Sequence, residues 1–235
     1  MHKHRGLVGF LALLVLWGMH HLPGREVFLY PLMLFDTMVH EMGHGLAALL
    51  LGGRLEKLQL FSDGSGLAWT AVDTGWKKGL VAAGGLLGPP FLAAFALAAA
   101  RSPRSARVWL VGMAAFLLGC LAYFVRGGMA WPVLLVLGLA LLAIGLLARD
   151  RVVEVTTLVL ALELAVLTYS RSDYLFMGSA QINGTTRVSD VGAISAAIGL
   201  PYWVWGILIG LFSAVLIAWE GRNYLRATHD FSADP

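Results

Sequence analysis

Apolar residues run along this chain in blocks and not in alternation. Blocks at 6–19, 27–51, 79–100, 107–125, 131–148, 152–169 and 203–219 are mostly close to the ~20 residues one helix needs to cross hydrocarbon, and a shorter block occupies 190–200. Polar or helix-breaking steps divide them: Gly52-Gly53, Arg101-Ser-Pro-Arg104, Arg126-Gly-Gly128 with Pro132 following, and Arg149-Asp-Arg151. The pattern predicts an all-α polytopic membrane protein of about six to seven transmembrane helices, forming one domain over 1–235.

Two stretches break this rhythm. Within 54–76, Leu58-Gln59-Leu60 and Leu67-Ala68-Trp69 flank Asp63-Gly64-Ser65-Gly66, which is turn chemistry, so a short β-hairpin or re-entrant segment is expected there. Residues 170–190 are polar, with Asn183-Gly184-Thr185-Thr186 at their centre, and predict a loop that leads into the short block.

Composition sharpens the membrane reading. Of 235 residues, 58% are hydrophobic and 13% charged, against roughly 25% charged in a soluble domain, and the mean hydropathy is +0.75. The net charge of +3 comes from Lys and Arg scattered through short connections, so nucleic-acid binding has no support. They divide almost evenly between the two sides of the predicted spans, and only the basic N-terminal tail leans towards a cytoplasmic N-terminus. Cys120 is the single cysteine and reads as a small buried apolar residue. No small-residue cleavage pattern follows the first block at His20-His21-Leu22-Pro23, which predicts an uncleaved first helix.

The chemistry is concentrated in Phe35-Asp-Thr-Met-Val-His-Glu-Met-Gly-His-Gly45, inside the second block. Residues four apart share a helix face, so His40 and His44 can present two imidazoles to one zinc ion, and Glu41 can act on the water that such a metal activates. A charged side chain at mid-membrane costs about 2.5–3.5 kcal/mol on insertion scales, so this cluster marks a functional cavity. A catalytic zinc usually has three protein ligands. The other histidines, His2, His4, His20, His21 and His229, lie near termini or interfaces and read as solvated, which points to a carboxylate.

Five carboxylates are candidates. Asp36, one turn before His40, can orient its imidazole; Glu163 fits an interhelical hydrogen bond; Glu154 fits a helix start; Asp173 fits a solvated loop. Asp190 opens the short apolar segment and can either reach the metal or serve as an N-cap.

At these residues the chain resembles the site-2-protease-type intramembrane zinc metallopeptidases, and more closely their small bacterial branch. His40-Glu-Met-Gly-His-Gly-Leu-Ala-Ala-Leu-Leu-Leu-Gly-Gly53 is similar to the family's HExGH helix with its double-glycine end. Ala83-Gly-Gly-Leu-Leu-Gly-Pro-Pro90 resembles its small-residue Gly-Pro helix, and Ser189-Asp-Val-Gly-Ala-Ile-Ser195 with Leu200-Pro201 its later ligand-bearing segment. The resemblance implies Zn²⁺ held by His40, His44 and Asp190, with Glu41 catalytic, and 170–200 as the loop and short helix that carry the third ligand. It also implies peptide-bond hydrolysis of a membrane protein or peptide substrate in a bacterial inner membrane. Here Val191 separates Asp190 from Gly192, where larger relatives carry an Asp-Gly step, and a soluble regulatory module such as a PDZ domain finds no room. Two rival readings keep the metal residues: a zinc hydrolase of a lipid-linked or amphiphilic substrate, and a non-enzymatic metal-binding or transport protein of the membrane.

Overall fold

The computed structural model describes residues 5–126, 128, 130–170 and 175–230. Its helices are α1 (Arg5–Met19), α2 (Arg25–Phe28), α3 (Tyr30–Leu50), α4 (Gly75–Ala99), α5 (Pro103–Tyr123), α6 (Ala130–Leu147), α7 (Asp150–Ser170), α8 (Asp190–Ile198) and α9 (Tyr202–Asp230). Its strands are β1 (Arg54–Leu60), β2 (Gly66–Ala71), β3 (Ser179–Ile182) and β4 (Thr185–Val188).

The expected six to seven spans are not confirmed. Among the described residues, four helices are long and apolar enough to cross a membrane: α4, α5, α6 and the Tyr202–Ala227 part of α9. The first block yields only 15 helical residues in α1. In α3 the polar cluster Asp36, His40, Glu41 and His44 lowers the hydropathy of an otherwise apolar helix. Four charged side chains, Asp150, Arg151, Glu154 and Glu163, lie on α7.

Local chemistry explains the ends of α3. Pro31 sits in its first turn, where a missing N–H costs nothing. At the other end Gly52 takes φ +77, and the Gly53 and Gly52 amides donate to Ala48 O at 2.8 Å and Leu49 O at 3.1 Å. That paired arrangement needs a left-handed residue, which glycine adopts without a Cβ penalty.

The chain then turns back along α3 as the predicted hairpin. β1 and β2 pair antiparallel, with Leu58 opposite Ala68 and Leu60 opposite Gly66. The turn is closed by Asp63 Oδ1, which accepts from the Ser65 amide at 2.9 Å and from its hydroxyl at 2.6 Å. Leu58 is fully buried and anchors the strand in a core built with α3, α5, α6 and α7. Its backbone pairs outward: the Leu58 amide donates to Phe124 O at 2.9 Å, and the Arg126 amide donates to Leu58 O at 3.1 Å.

The predicted loop at 170–190 proves to contain a second hairpin. β3 and β4 pair antiparallel around Asn183 and Gly184, whose φ values of 47 and 71 give the turn that matches strand twist. The two hairpin tips touch, since the Asn183 amide donates to Ser65 Oγ at 3.2 Å.

Helices α3 and α4 pack backbone to backbone. A methyl group on Gly43 would run into the Gly84 carbonyl, and one on Gly84 would lie 2.5 Å from Ala47 Cβ. Gly43→Ala should therefore destabilise the protein by about 1–3 kcal/mol. Gly112→Ala, where an added Cβ meets nothing within 4 Å, should be neutral or mildly stabilising. Thermal unfolding of the two variants in detergent checks this; equal midpoints would mean that the helix contact is not tight.

Candidate metal centre

His40 lies ten residues into the 21-residue α3, near its middle, about 15 Å from the helix start. His44 follows one turn later, and the two Nε2 atoms lie 3.2 Å apart with the rings at 87° to each other. Asp190 arrives from α8: its Oδ2 is 3.0 Å from His40 Nε2, and its Oδ1 is 3.4 Å from His44 Nε2. Taking one ligand atom from each residue, all three lie within 4.8 Å of one another.

These spacings suit a divalent metal. Four ligands about 2.05 Å from a tetrahedral zinc are separated by roughly 3.3 Å; the two Nε2 atoms are 3.2 Å apart, and Asp190 approaches them through different oxygens at 3.0 and 3.4 Å. The tautomer of His44 fits as well. Its Nδ1 lies 2.8 Å from the Val81 carbonyl on α4 and donates to it, which turns the Nε2 lone pair towards Asp190 and fixes the ring.

The structure brings Asp190 to this point through a division of labour at the start of α8. Ser189 is the N-cap, accepting from the Gly192 amide at 3.1 Å, so the Asp190 carboxylate is left to face the histidines. A Cβ on Gly192 would meet Gly178 O at 2.6 Å, so glycine lets the start of α8 pack closely against the backbone just before β3.

Glu41 is buried next to the pair. The Ala68 amide lies within hydrogen-bonding reach of its carboxylate, and a Cβ on Gly66 would come 2.7 Å from Glu41 Cγ. The hairpin register explains the first contact. Since Leu58 bonds outward to Phe124 and Arg126, its partner Ala68 also points its N–H and C=O away from β1. The free edge of β2 thus faces the histidines.

The remaining candidates sort clearly. Asp36 is buried and lines the cleft one turn before His40. Glu163 is buried elsewhere, with Oε1 3.1 Å from His20 Nε2, which corrects the expectation that His20 is simply solvated. His21 stays exposed and its Nδ1 lies 2.7 Å from Trp17 O. Glu154 does not line the cleft, and Asp173, His2 and His4 lie outside the described residues. The sequence reading missed the Val81 carbonyl and the Ala68 amide, and held Gly85 only as part of the small-residue motif at 83–90. A Cβ on Gly85 would collide with the His44 ring; the Gly84-Gly85 pair was its only trace in the sequence.

The cleft has two lobes that share His40, Glu41, Gly66 and Ile182. The inner lobe, about 380 Å³, exposes mostly apolar surface, from Leu86, Pro89, Leu175 and Ile209 among others, with polar side chains such as Asp36, Thr168, Gln181 and Ser213 set between. The outer lobe, about 710 Å³, runs along β2 from Gly66 to Val72 and holds His44, Asp190, Lys78 and Arg187.

Four apolar helices of membrane-crossing length beside a half-buried two-histidine, one-aspartate cluster that could hold a metal ion fit a membrane protein with a candidate metal centre. A family model described as Peptidase M50B-like matches residues 7–220, and the chain belongs to that family, the site-2-protease type of metallopeptidase. No curated protein and no solved structure matches the chain.

Gly85→Ala keeps all three candidate ligands but crowds the His44 ring. It should weaken metal binding by about 10–100-fold, the usual effect of disturbing a residue that orients a ligand. Competition against a chromophoric chelator measures this, and parental affinity in the variant would show that the ring can move freely.

Proposed function

We propose that this protein is an intramembrane zinc metallopeptidase that hydrolyses peptide bonds of membrane-associated protein or peptide substrates in a bacterial inner membrane. The observation that carries the reading is the meeting of His40, His44 and Asp190 beside Glu41. Membership of the peptidase family supports it, and the bacterial placement follows the likeness of the motifs to the small bacterial branch.

Two imidazoles and one carboxylate on the wall of an open cleft are the donor set of a catalytic zinc and not of a structural one. Bound there, zinc supplies Lewis acidity to the carbonyl under attack and lowers the pKa of the attacking water. Glu41 takes the proton of that water and passes it to the departing amine, a role that needs a carboxylate held still beside the ligands. The Ala68 amide and the backbone at Gly66 hold it there. His44 keeps its metal-facing tautomer through the Val81 carbonyl.

A helical substrate hides its carbonyls in hydrogen bonds and must be extended before it is cut. The outward-facing backbone of β2 gives such an extended segment a partner by strand addition. Water enters through the outer lobe, which holds the polar and charged lining. In this reading 1–235 acts as one membrane-embedded peptidase domain, with 54–76 presenting the edge and 170–200 carrying the third ligand.

Glu41→Gln should lower turnover of a membrane-protein substrate by about 10²–10⁴-fold while leaving metal content near parental. Cleavage assays beside metal analysis of the purified variant check both halves, and undiminished turnover would remove Glu41 from the mechanism.

A further inference from the structure

The two lobes of the cleft differ in chemistry, and a strand laid along β2 must cross from one to the other. The inner lobe exposes mainly apolar surface, from Leu86, Pro89, Leu175 and Ile209 on α4, α9 and the residues before β3, with Asp36, Thr37 and the polar side chains of β3 between them. The outer lobe gathers two cations, Lys78 from the first turn of α4 and Arg187 from β4. Both are exposed, and among the described residues neither has a carboxylate within ion-pair distance. The carboxylates of the outer lobe, Glu41 and Asp190, are engaged at the centre itself.

Direction follows from topology. β2 starts at Gly66, beside Thr37 and the inner lobe, and ends next to Ala71 and Val72 in the outer lobe. Antiparallel pairing is the more stable arrangement per residue, so an added strand runs the opposite way. Its N-terminal residues then lie by Val72, Lys78 and Arg187, and its C-terminal residues by Gly66 and the apolar surface of the inner lobe.

We infer that the cleft accepts its substrate in one direction, with acidic residues N-terminal to the cut bond lying between Lys78 and Arg187, and an apolar stretch C-terminal to it filling the inner lobe. The inference rests on the strand-addition reading above and names its substrate class: a segment that passes from an acidic flank into a hydrophobic one. An amphiphile with a phosphate head could use the same two cations. It could not use the backbone edge of β2, which is why a peptide is favoured.

The test uses the full-length Glu41→Gln protein in detergent, so that binding is read without turnover. Three fluorescent peptides share one apolar segment: one carries two Asp on its N-terminal side, one the same Asp on its C-terminal side, and one two Lys on its N-terminal side. The first should bind tightest. Lys78→Glu with Arg187→Glu should weaken it by roughly fivefold or more, the scale of exposed ion pairs, and should make the Lys peptide the preferred ligand. A gain of that kind cannot come from misfolding.

Equal binding of all three peptides before and after the double substitution overturns the inference, as does a larger effect on the peptide with C-terminal Asp. Competition by a long-chain alkyl phosphate that depends on Lys78 and Arg187, without any such dependence for peptides, overturns it in favour of an amphiphile. If the parent protein cuts peptides with no charge preference, only the directional inference falls. If the charge preference appears in binding but the parent cuts nothing, the peptidase reading falls and the inference about the cleft stands.

Discussion

Between Gly43 and Gly84 no side chain separates α3 from α4, and each helix lies against the other's backbone. That approach brings the Val81 carbonyl within 2.8 Å of His44 Nδ1 and leaves the surface of Gly85 as the floor on which the imidazole rests. Helix α4 also receives α8 on another face, where a Cβ on Gly79 would lie 2.8 Å from the Ile198 side chain. One helix therefore sets the position of both the histidines and the aspartate. Small residues do this better than large ones in a membrane protein, where helices gain little from hiding apolar surface and more from close van der Waals contact.

How much of this could be read in the sequence depends on the range of each interaction. The His40-Glu41-xx-His44 cluster is a local property of helical spacing, and Gly52-Gly53 states its own helix end, so both were legible. The β1–β2 hairpin was announced by Asp63-Gly64 between alternating residues. The β3–β4 hairpin was equally announced by Asn183-Gly184, but its strands are four residues each and β4 is exposed throughout, so no alternation stood out. The role of Asp190 was ambiguous because a helix start suits both an N-cap and a ligand, and the cap proves to be the neighbouring Ser189. His20 and Glu163 are 143 positions apart, and nothing local connects them. The number of spans is not confirmed for a related reason: among the described residues four helices meet the length and hydropathy of a span, whereas α3 and α7 carry polar side chains that lower theirs.

Polar groups away from the centre follow the rule that a buried charge needs a partner. His20, just after α1, meets Glu163 of α7, which ties the end of the first helix to the bundle. Arg107 reaches the exposed carbonyls at the end of α6, Gly145 O at 2.6 Å and Ala148 O at 2.9 Å, together with Asp150 at 2.8 Å. A cation at a helix C-terminus satisfies orphan acceptors and opposes the negative end of the dipole. Arg101 pairs with Glu220 and joins the α4–α5 connection to α9. These pairs hold the helices around the cleft without lining it.

The two edges of the first hairpin explain why a sheet is present among helices at all. Backbone N–H and C=O groups at membrane depth have no water to pair with, so non-helical chain is tolerated only where protein covers it or a cavity receives it. The β1 edge takes the first solution, with Phe124 and Arg126 bonding Leu58 on both of its backbone groups. The β2 edge takes the second, opening onto the lobes that meet at Glu41. An edge left open in a soluble protein invites aggregation, but here Ile182, Arg187 and Val188 of the second hairpin and Asp190 of α8 line the same cleft. Glu41 takes the Ala68 amide, and in the proposed strand addition the other outward groups of β2 favour extended backbone over an intact helix.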